Sequence, residues 1–238
     1  MIDREIVCVN RLETGYGRKQ VLFGADLFVR ACEMVALIGH NGAGKTTLLK
    51  AIFGIVPVWK GELSYDGQSI SDWPLRRRIN AGIAYVPQGN RVFNGLTVRE
   101  NLEMGGYTLG DRAQLREKIE EAYSVFPVLK ERSSTLSAVL SGGEKQMLAI
   151  ATGLMLSPRL LLLDEPSLGL SPSAIKDVLA RLTQINRSSK TAMLIVEQKV
   201  REVLQICSRA YLLKMGTVVE TGECSAFLQG DRIREIFL

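Results

Sequence analysis

The strongest constraint in this sequence is a glycine-rich loop, GHNGAGKTT, at residues 39–47. It fits the pattern G-x-x-x-x-G-K-[ST], with Gly39, Gly44, Lys45 and Thr46 at the defining positions. The apolar run at residues 34–38 predicts a buried strand before the loop, and residues 47–53 predict the start of a helix after it. A loop between a strand and a helix is the setting in which this pattern binds phosphate.

The chemistry expected of this loop is anion binding. Glycine lets backbone N–H groups close around phosphate oxygens without Cβ clashes, and the following helix directs its positive end at the same oxygens. We expect Lys45 to reach the β- and γ-phosphates and the Thr46 hydroxyl to ligate Mg²⁺. His40 is expected to offer only its backbone N–H. The alternative is a glycine-rich turn that matches the pattern by chance.

Length and composition exclude some classes of protein. The 238 residues are enough for one α/β domain with a subdomain. The charge-free stretch at residues 146–158 is shorter than the ~18 residues that a membrane-spanning helix needs. The four cysteines are scattered without C-x-x-C spacing, which is typical of reduced cytosolic thiols. The net charge of +5 is spread along the chain and is weak evidence for any partner.

Apolar runs alternate with helical patterns along the chain, which predicts a largely parallel sheet covered on both faces. Residues 91–153 are mostly helical in pattern, and Ser171 and Pro172 have the N-cap and first-turn character of another helix. A strand, a turn and a second strand are expected before residue 30, with the turn at residues 15–17. The predicted strands are residues 6–9, 21–29, 61–65, 83–86, 160–163, 192–196 and 210–213.

Two carboxylates follow the apolar strand at residues 160–163. Asp164 at the end of a central strand can hold Mg²⁺ through its water shell, opposite the Thr46 hydroxyl. Glu165 beside it can polarise the attacking water. The alternative is a strand that simply ends in solvated charges.

A third motif, LSGGEKQ, occupies residues 140–146. Ser141 and Glu144 have capping-box spacing, so a helix is expected to begin here and to end near Leu156. The two glycines in the first turn weaken such a helix by roughly 1 kcal/mol each relative to alanine. They also leave backbone N–H groups exposed at the positive end of the helix. Two phosphate-binding sites in one chain imply either two nucleotides or one nucleotide shared between two copies.

Together these motifs resemble those of the ATP-binding cassette (ABC) ATPases, in that family's order and over essentially the whole chain. Residues 39–47 match the Walker A loop, Gln88 the Q-loop, residues 140–146 the signature motif and residues 160–165 Walker B. The resemblance implies an α/β fold, with a P-loop NTPase core around a mostly parallel sheet, an antiparallel β lobe and an inserted α-helical subdomain at about residues 91–153. Residues 1–238 would form a single ABC ATPase domain.

The resemblance also implies ATP and Mg²⁺ as ligands and a head-to-tail pair of ATPase subunits. Each ATP would lie between the Walker A loop of one copy and residues 141–143 of the other, with Tyr16 stacked on the adenine. The residues implied in nucleotide binding are Tyr16, Gly39, His40, Asn41, Gly42, Ala43, Gly44, Lys45, Thr46, Thr47, Gln88, Ser141, Gly142 and Gly143. Those implied as metal ligands are Thr46, Gln88 and Asp164, and those implied in catalysis are Glu165, Gln198 and Lys45.

Two positions depart from the common pattern of the family. Gln198 stands where the family has its switch histidine, and the one histidine of the chain is His40. A glutamine amide can hydrogen-bond a phosphate or a water but cannot carry a proton at neutral pH, so Gln198 would position groups rather than shuttle protons; the alternative is an exposed residue at a strand end. Ser171 stands where many members have the D-loop aspartate, and a helix N-cap is its other possible role.

The segments at residues 91–101, 165–172 and 196–198 are similar to the ATPase subunits of branched-chain amino acid importers. Urea and short-amide importers share much of this pattern, and a lipopolysaccharide exporter is a more distant possibility. A soluble ABC ATPase acting on nucleic acid or ribosomes is the alternative of another class, encouraged slightly by the basic charge. A single cassette without a coiled-coil insertion or a basic extension opposes it, so no nucleic acid partner is expected. A binding module without ATPase activity is the third possibility, and Lys45, Asp164 and Glu165 together oppose it.

For an importer subunit, the resemblance implies membrane permease subunits as partners and, through them, a substrate-binding protein. The chain would lie at the cytoplasmic face of the inner membrane. The surface at residues 88–101 would receive a helix of the permease, with Phe93 and Leu96 in contact, although core packing explains those two side chains nearly as well.

Overall fold

The computed structural model describes residues 4–229, so residues 1–3 and 230–238 of the predicted domain lie outside the described residues. In chain order the strands are β1 (Glu5–Tyr16), β2 (Lys19–Arg30), β3 (Met34–Ile38), β4 (Lys60–Tyr65), β5 (Gln68–Ser69), β6 (Ile83–Val86), β7 (Leu160–Asp164), β8 (Ala192–Val196), β9 (Arg209–Lys214) and β10 (Thr217–Glu223). The helices are α1 (Lys45–Phe53), α2 (Leu75–Asn80), α3 (Val98–Gly105), α4 (Arg112–Val125), α5 (Pro127–Glu131), α6 (Gly142–Leu154), α7 (Pro172–Ser189), α8 (Val200–Leu204) and α9 (Cys224–Leu228).

The central sheet has six strands in the order β10-β9-β3-β8-β7-β6. β3 pairs in parallel with β8 and β9, β7 pairs in parallel with β6 and β8, and β10 adds an antiparallel edge next to β9. Every residue of β3, β7 and β8 is buried, as expected for parallel strands covered on both faces. The prediction of a mostly parallel sheet is therefore confirmed.

The second sheet is antiparallel, in the order β2-β1-β4-β5. β1 is much longer than the strand predicted at residues 6–9, because irregularities of register between Val9 and Leu12 and near Gly15 interrupt the alternation that marks a strand. β2 extends the strand predicted at residues 21–29 by two residues at its start and one at its end. A Cβ at Gly15 would lie 2.0 Å from the Lys19 carbonyl oxygen, so the chain needs glycine there for the strands to turn back. The turn itself falls at residues 17–18 rather than at residues 15–17.

Helices α3 to α6 fill the sequence between β6 and β7, as the pattern of residues 91–153 predicted. α3 begins with a capping box, in which the Thr97 hydroxyl accepts from the Glu100 N–H and the Glu100 carboxylate accepts from the Thr97 N–H. The apolar face of α4 and the residue after it pack into the core on this side of the sheet. The buried members of that face are Ile119, Ala122, Tyr123 and Phe126.

The last third of the chain contains elements that the sequence did not predict. β10 lies at the edge of the sheet, and its half-exposed sequence with glycine lacks the apolar run of the central strands. α8 and α9 are five residues each, too short for a helical period to show. α6 ends at Leu154, two residues before the predicted end, and α7 begins at Pro172 with the Ser171 hydroxyl accepting from Ala174 N–H, as expected.

None of the helices in residues 4–229 is both long and apolar enough to cross a membrane. The charge-free stretch at residues 146–158 forms most of α6 and the turn after it. Its apolar side chains pack in the core instead.

Candidate nucleotide-binding site

The glycine-rich loop joins β3 to α1, and two of its glycines are required by space as well as by backbone geometry. Gly39 has φ +150°, and a Cβ there would lie 2.2 Å from the Leu213 carbonyl oxygen. Gly44 has φ +109°, and a Cβ there would lie 2.7 Å from the Leu22 side chain. The loop is thus held between β2 and β9, with its backbone N–H groups close to the start of α1.

Lys45 is the first residue of α1, and its amine lies over the loop. Its Nζ donates to the carbonyl oxygens of Gly39 at 2.7 Å and His40 at 2.9 Å. Burial lowers the pKa of Lys45, while the nearby Glu165 and Asp164 carboxylates oppose that shift. The amine is therefore a buried cation placed where a phosphate chain over the loop would meet it.

A cleft of about 380 Å³ opens next to the loop, within the size range of small-molecule sites. Tyr16, at the end of β1, stands at this cleft with its side chain half exposed, so a planar base can stack on it. Gly39, His40 and Ala43 form the loop without lining this cleft. The lining residues are Tyr16, Lys19, Val21, Asn41, Gly42, Gly44, Lys45, Thr46, Thr47 and Glu165.

Asp164 ends β7 beside the first turn of α1, and both of its carboxylate oxygens accept a hydrogen bond. Thr46 Oγ1 donates to Oδ1 at 2.9 Å, and Tyr85 Oη donates to Oδ2 at 2.9 Å. Burial raises the pKa of Asp164, and the two hydrogen bonds partly offset that rise. A hydroxyl and a carboxylate side by side are the hard oxygen ligands that Mg²⁺ prefers, so this pair fits the ion that the motif implies.

Glu165, the next residue, is held between two glutamine amides. Gln88 Nε2 donates to Oε2 at 2.7 Å and Gln198 Nε2 donates to Oε1 at 2.7 Å. Glu165 is 8% exposed and has a left-handed backbone, φ +50°, which is uncommon for a residue other than glycine. These residues follow β6, β7 and β8, whose carboxyl ends meet at one edge of the parallel sheet. Gln88 thus contacts Glu165, whereas the sequence analysis named Gln88 among the expected metal ligands.

The motif at residues 141–143 begins α6 and does not line the same cleft. The capping box is present, because Ser141 Oγ accepts from Glu144 N–H and the Glu144 carboxylate accepts from Ser141 N–H. A Cβ at Gly143 would lie 3.0 Å from the Ala174 Cβ, and Gly142 accepts from the Asn90 amide through its carbonyl oxygen. The start of α6 therefore lies close to the start of α7. The two helix starts border a groove that is separate from the cleft at the glycine-rich loop.

A model of one known family, described as ABC transporter, matches residues 22–168, which is more than half of the chain. The chain belongs to the ABC transporter family. It is accordingly the ATPase subunit of a transporter, as its motifs predicted.

Two curated relatives of this ABC ATPase match nearly its whole length. A high-affinity branched-chain amino acid transport ATP-binding protein, BraG, from Pseudomonas aeruginosa is 40% identical, covering 96% of this chain and 97% of the relative. A lipopolysaccharide export system ATP-binding protein, LptB, from Haemophilus influenzae is 34% identical, covering 98% of this chain and 97% of the relative.

A solved ATP-binding cassette has the same fold. It is a dimer in a post-hydrolysis state bound to ADP and Pi, with a TM-score of 0.81 and 21% sequence identity. The alignment covers 92% of this chain and 98% of that structure. The α/β fold expected for an ABC ATPase is confirmed by this likeness and by the two sheets described above.

Besides Lys19 and Val21, which line the cleft, sequence reasoning missed two side chains that make hydrogen bonds at this site of the ABC ATPase. Tyr85, on β6, reaches Asp164, and Glu197, before Gln198, is buried and accepts from the Ser167 N–H and hydroxyl at 2.7 and 2.8 Å. Burial raises the pKa of Glu197. The available signal was that a buried tyrosine hydroxyl or carboxylate needs a partner, but only the order of the strands identifies which one.

Proposed function

We propose that this ABC ATPase hydrolyses Mg·ATP with Glu165 as the catalytic carboxylate. The observation that carries this proposal is the placement of Glu165, which lines the cleft of the phosphate-binding loop while Gln88 and Gln198 fix both of its oxygens. A fixed carboxylate beside a phosphate site is the arrangement that general-base chemistry requires.

In this proposal the loop binds the phosphate chain through the backbone N–H groups of residues 39–47. Lys45 turns from the Gly39 and His40 carbonyls to the β- and γ-phosphates, and Tyr16 stacks on the base. Thr46, Gln88 and Asp164 would hold Mg²⁺, and the ion would supply positive charge that offsets the negative charge of the phosphates. The oxygen donor set of Thr46 and Asp164 supports this assignment.

The hydrolytic step needs a water in line with the bond between the γ-phosphorus and its leaving oxygen. Glu165 accepts a proton from that water as its oxygen bonds to phosphorus, and ADP leaves with the electron pair of the broken bond. Gln198 orients Glu165 and the water through its amide, without taking a proton.

We propose further that two ATPase subunits, identical or homologous, share each nucleotide. Within one chain, Ser141 and Gly143 line a groove separate from the loop cleft, so the start of α6 is available to a nucleotide held by a second subunit. The dimeric form of the related cassette bound to ADP and Pi agrees with such a pair. Closure on ATP and reopening after hydrolysis would drive the membrane subunits.

The solute that we propose is a branched-chain or other hydrophobic amino acid, imported through permease subunits and a substrate-binding protein. The 40% identity to the branched-chain amino acid relative supports it. Urea or short amides remain the alternative importer, and the lipopolysaccharide export relative favours an exporter as the second candidate. Uptake of labelled leucine against labelled urea into vesicles that hold the assembled transporter separates these solutes.

The proposed location is the cytoplasmic face of the inner membrane. Residues 88–101 would meet the permease, and Phe93, which is 55% exposed, supports this surface better than the partly buried Leu96 does. The chain would act as one ABC ATPase domain, with the helices between residues 91 and 153 as its helical subdomain.

Steady-state hydrolysis of Mg·ATP by Glu165→Gln and by the unmodified protein tests the catalytic assignment. We expect kcat to fall by about 10²–10⁴-fold, since the amide cannot accept the proton. Glu62→Gln, an exposed position on β4, is the matched control and should keep the activity of the unmodified protein. Hydrolysis by Glu165→Gln within a few-fold of the control would mean that another group is the base.

A further inference from the structure

Tyr85 is placed to orient Asp164, although it belongs to none of the ATP-binding motifs. Its hydroxyl donates to Asp164 Oδ2 at 2.9 Å, while Thr46 donates to Oδ1 at 2.9 Å. Each oxygen of this carboxylate therefore has its own donor, and the two donors come from different elements, β6 and α1.

The sheet register places Tyr85 for this contact. Tyr85 on β6 pairs with Leu162 on β7, and Asp164 lies two residues further along β7. Side chains two residues apart on a strand share a face, so Tyr85 and Asp164 lie on the same face of the sheet, the one covered by α1. A diagonal pair of this kind is within the reach of an aromatic side chain.

The tyrosine ring is itself fixed. It packs against the Phe53 ring with centroids 5.4 Å apart, and Phe53 is the last residue of α1. The first turn of α1 thus contains Thr46, and the last turn of the same helix packs against Tyr85. Because the ring is held, the direction of the hydroxyl is set before any ligand binds.

We propose that Tyr85 is a positioning residue for the metal site, acting through Asp164; this rests on the Mg²⁺ assignment of the proposed function. The Thr46 hydroxyl has lone pairs as well as its O–H, so it could ligate the ion and still donate to Asp164 Oδ1. The hydrogen bond from Tyr85 fixes Oδ2, and two donors on opposite oxygens hold the plane of the carboxylate that would bind the ion. Tyr85 itself touches neither the ion nor the nucleotide.

The test is Tyr85→Phe, which removes one hydroxyl and keeps the ring against Phe53. Mn²⁺ serves as the probe, and its affinity for the complex of protein with ATP is measured from the electron paramagnetic resonance signal of free Mn²⁺. We expect Tyr85→Phe to raise the Kd of Mn²⁺ by about tenfold, the size expected from one lost hydrogen bond to a charged group. The Kd of ATP in EDTA should stay within about twofold of the unmodified protein, because the loop and Tyr16 are unchanged.

Tyr65→Phe is the matched control, because Tyr65 on β4 donates its hydroxyl to the Ala81 carbonyl oxygen at 3.1 Å, away from the cleft. It should leave the Kd of Mn²⁺ unchanged. The proposal for Tyr85 is overturned if Tyr85→Phe leaves Mn²⁺ affinity unchanged, if it weakens ATP in EDTA equally, or if Tyr65→Phe has the same effect.

Asp164→Asn separates this proposal from the metal site on which it rests. If Asp164→Asn weakens Mn²⁺ binding strongly and Tyr85→Phe does not, Tyr85 is only a packing residue and the metal site stands. If Asp164→Asn also leaves Mn²⁺ affinity unchanged, the metal assignment itself is wrong and the inference fails with it. Adding Tyr85→Phe to Asp164→Asn should weaken Mn²⁺ binding no further, since Tyr85 acts through Asp164.

Discussion

At the scale of single residues, the site is organised by hydrogen bonds that fix two adjacent carboxylates. Asp164 accepts from a hydroxyl on each oxygen, and Glu165 accepts from an amide on each oxygen. The two groups that donate to Glu165 are amides, which cannot ionise near neutral pH. Its orientation is therefore set without a proton-carrying partner, which is how this chain can work with glutamine at position 198.

Gln198→Glu tests the need for a neutral donor there. The introduced carboxylate would lie 2.7 Å from Glu165, as the amide does now, so its pKa in the folded protein is expected to rise above its unfolded value. When the pKa of a group is raised on folding, its contribution to the unfolding free energy is present below the pKa of the unfolded state. That contribution is lost as the pH rises through the pKa of the folded state. We expect the variant to lose about 1 kcal/mol of unfolding free energy at pH 8, equivalent to a shift of roughly one pKa unit.

Urea unfolding at pH 5, 6.5 and 8 measures this effect. The deficit relative to the unmodified protein should shrink as the pH falls toward 5, whereas Gln198→Ala should show a deficit that does not change with pH. An equal deficit for Gln198→Glu at all three values would show that the two side chains are not close in solution.

At the scale of elements, the first turn of α1 belongs to the candidate nucleotide site. Arg78 on α2 binds the opposite end of that helix, its last turn. Arg78 is 2% exposed and its guanidinium donates to five carbonyl oxygens. Two of these, from Ala51 and Ile52, are in the last turn of α1, where helix carbonyls lack partners within the helix. A cation at a helix C-terminus also interacts favourably with the helix dipole.

Arg78→Met is expected to destabilise the fold by about 3 kcal/mol or more, because it leaves buried carbonyl oxygens without donors. Urea unfolding followed by circular dichroism measures the loss. Arg76→Met, an exposed neighbour on α2, is the control and should change the unfolding free energy by less than about 0.5 kcal/mol. A loss for Arg78→Met no larger than that of the control would show that the last turn of α1 does not depend on this side chain.

The elements differ in how far the sequence could predict them. β3, β6 and β8 have the predicted bounds, because continuous apolar runs stopped by glycine, proline or charge mark central parallel strands clearly. β1 was underestimated because its register shifts break the alternation, and β10 was missed because an edge strand carries little apolar sequence. The motif residues could be named from spacing alone.

What spacing could not supply is the set of contacts between elements that are distant in sequence. Tyr85 meets Asp164, which lies 79 positions further along the chain, only because β6 pairs with β7, and no local pattern records that pairing.

 The same holds for Glu197 and Ser167, which are 30 positions apart and meet because β8 lies beside β7.

At the scale of the whole molecule, the chain separates the two features that we propose bind phosphate. The loop at residues 39–47 lies at the carboxyl edge of the central sheet, with Asp164 and Glu165 beside it. Residues 141–143 begin α6 in the helical region and face another groove. We therefore propose that a single chain offers two half-sites and that a complete site requires two ATPase subunits.

The most direct measurement of this claim is the size of the Glu165→Gln protein in solution with saturating Mg·ATP, with and without Ser141→Arg. We expect Glu165→Gln alone to elute as a dimer, since ATP is bound and not hydrolysed. Adding Ser141→Arg should leave it a monomer whose Kd for ATP is unchanged, because the loop cleft is intact. A dimer that survives Ser141→Arg, a monomer for Glu165→Gln alone, or a weakened Kd for ATP would contradict a nucleotide site shared between two copies.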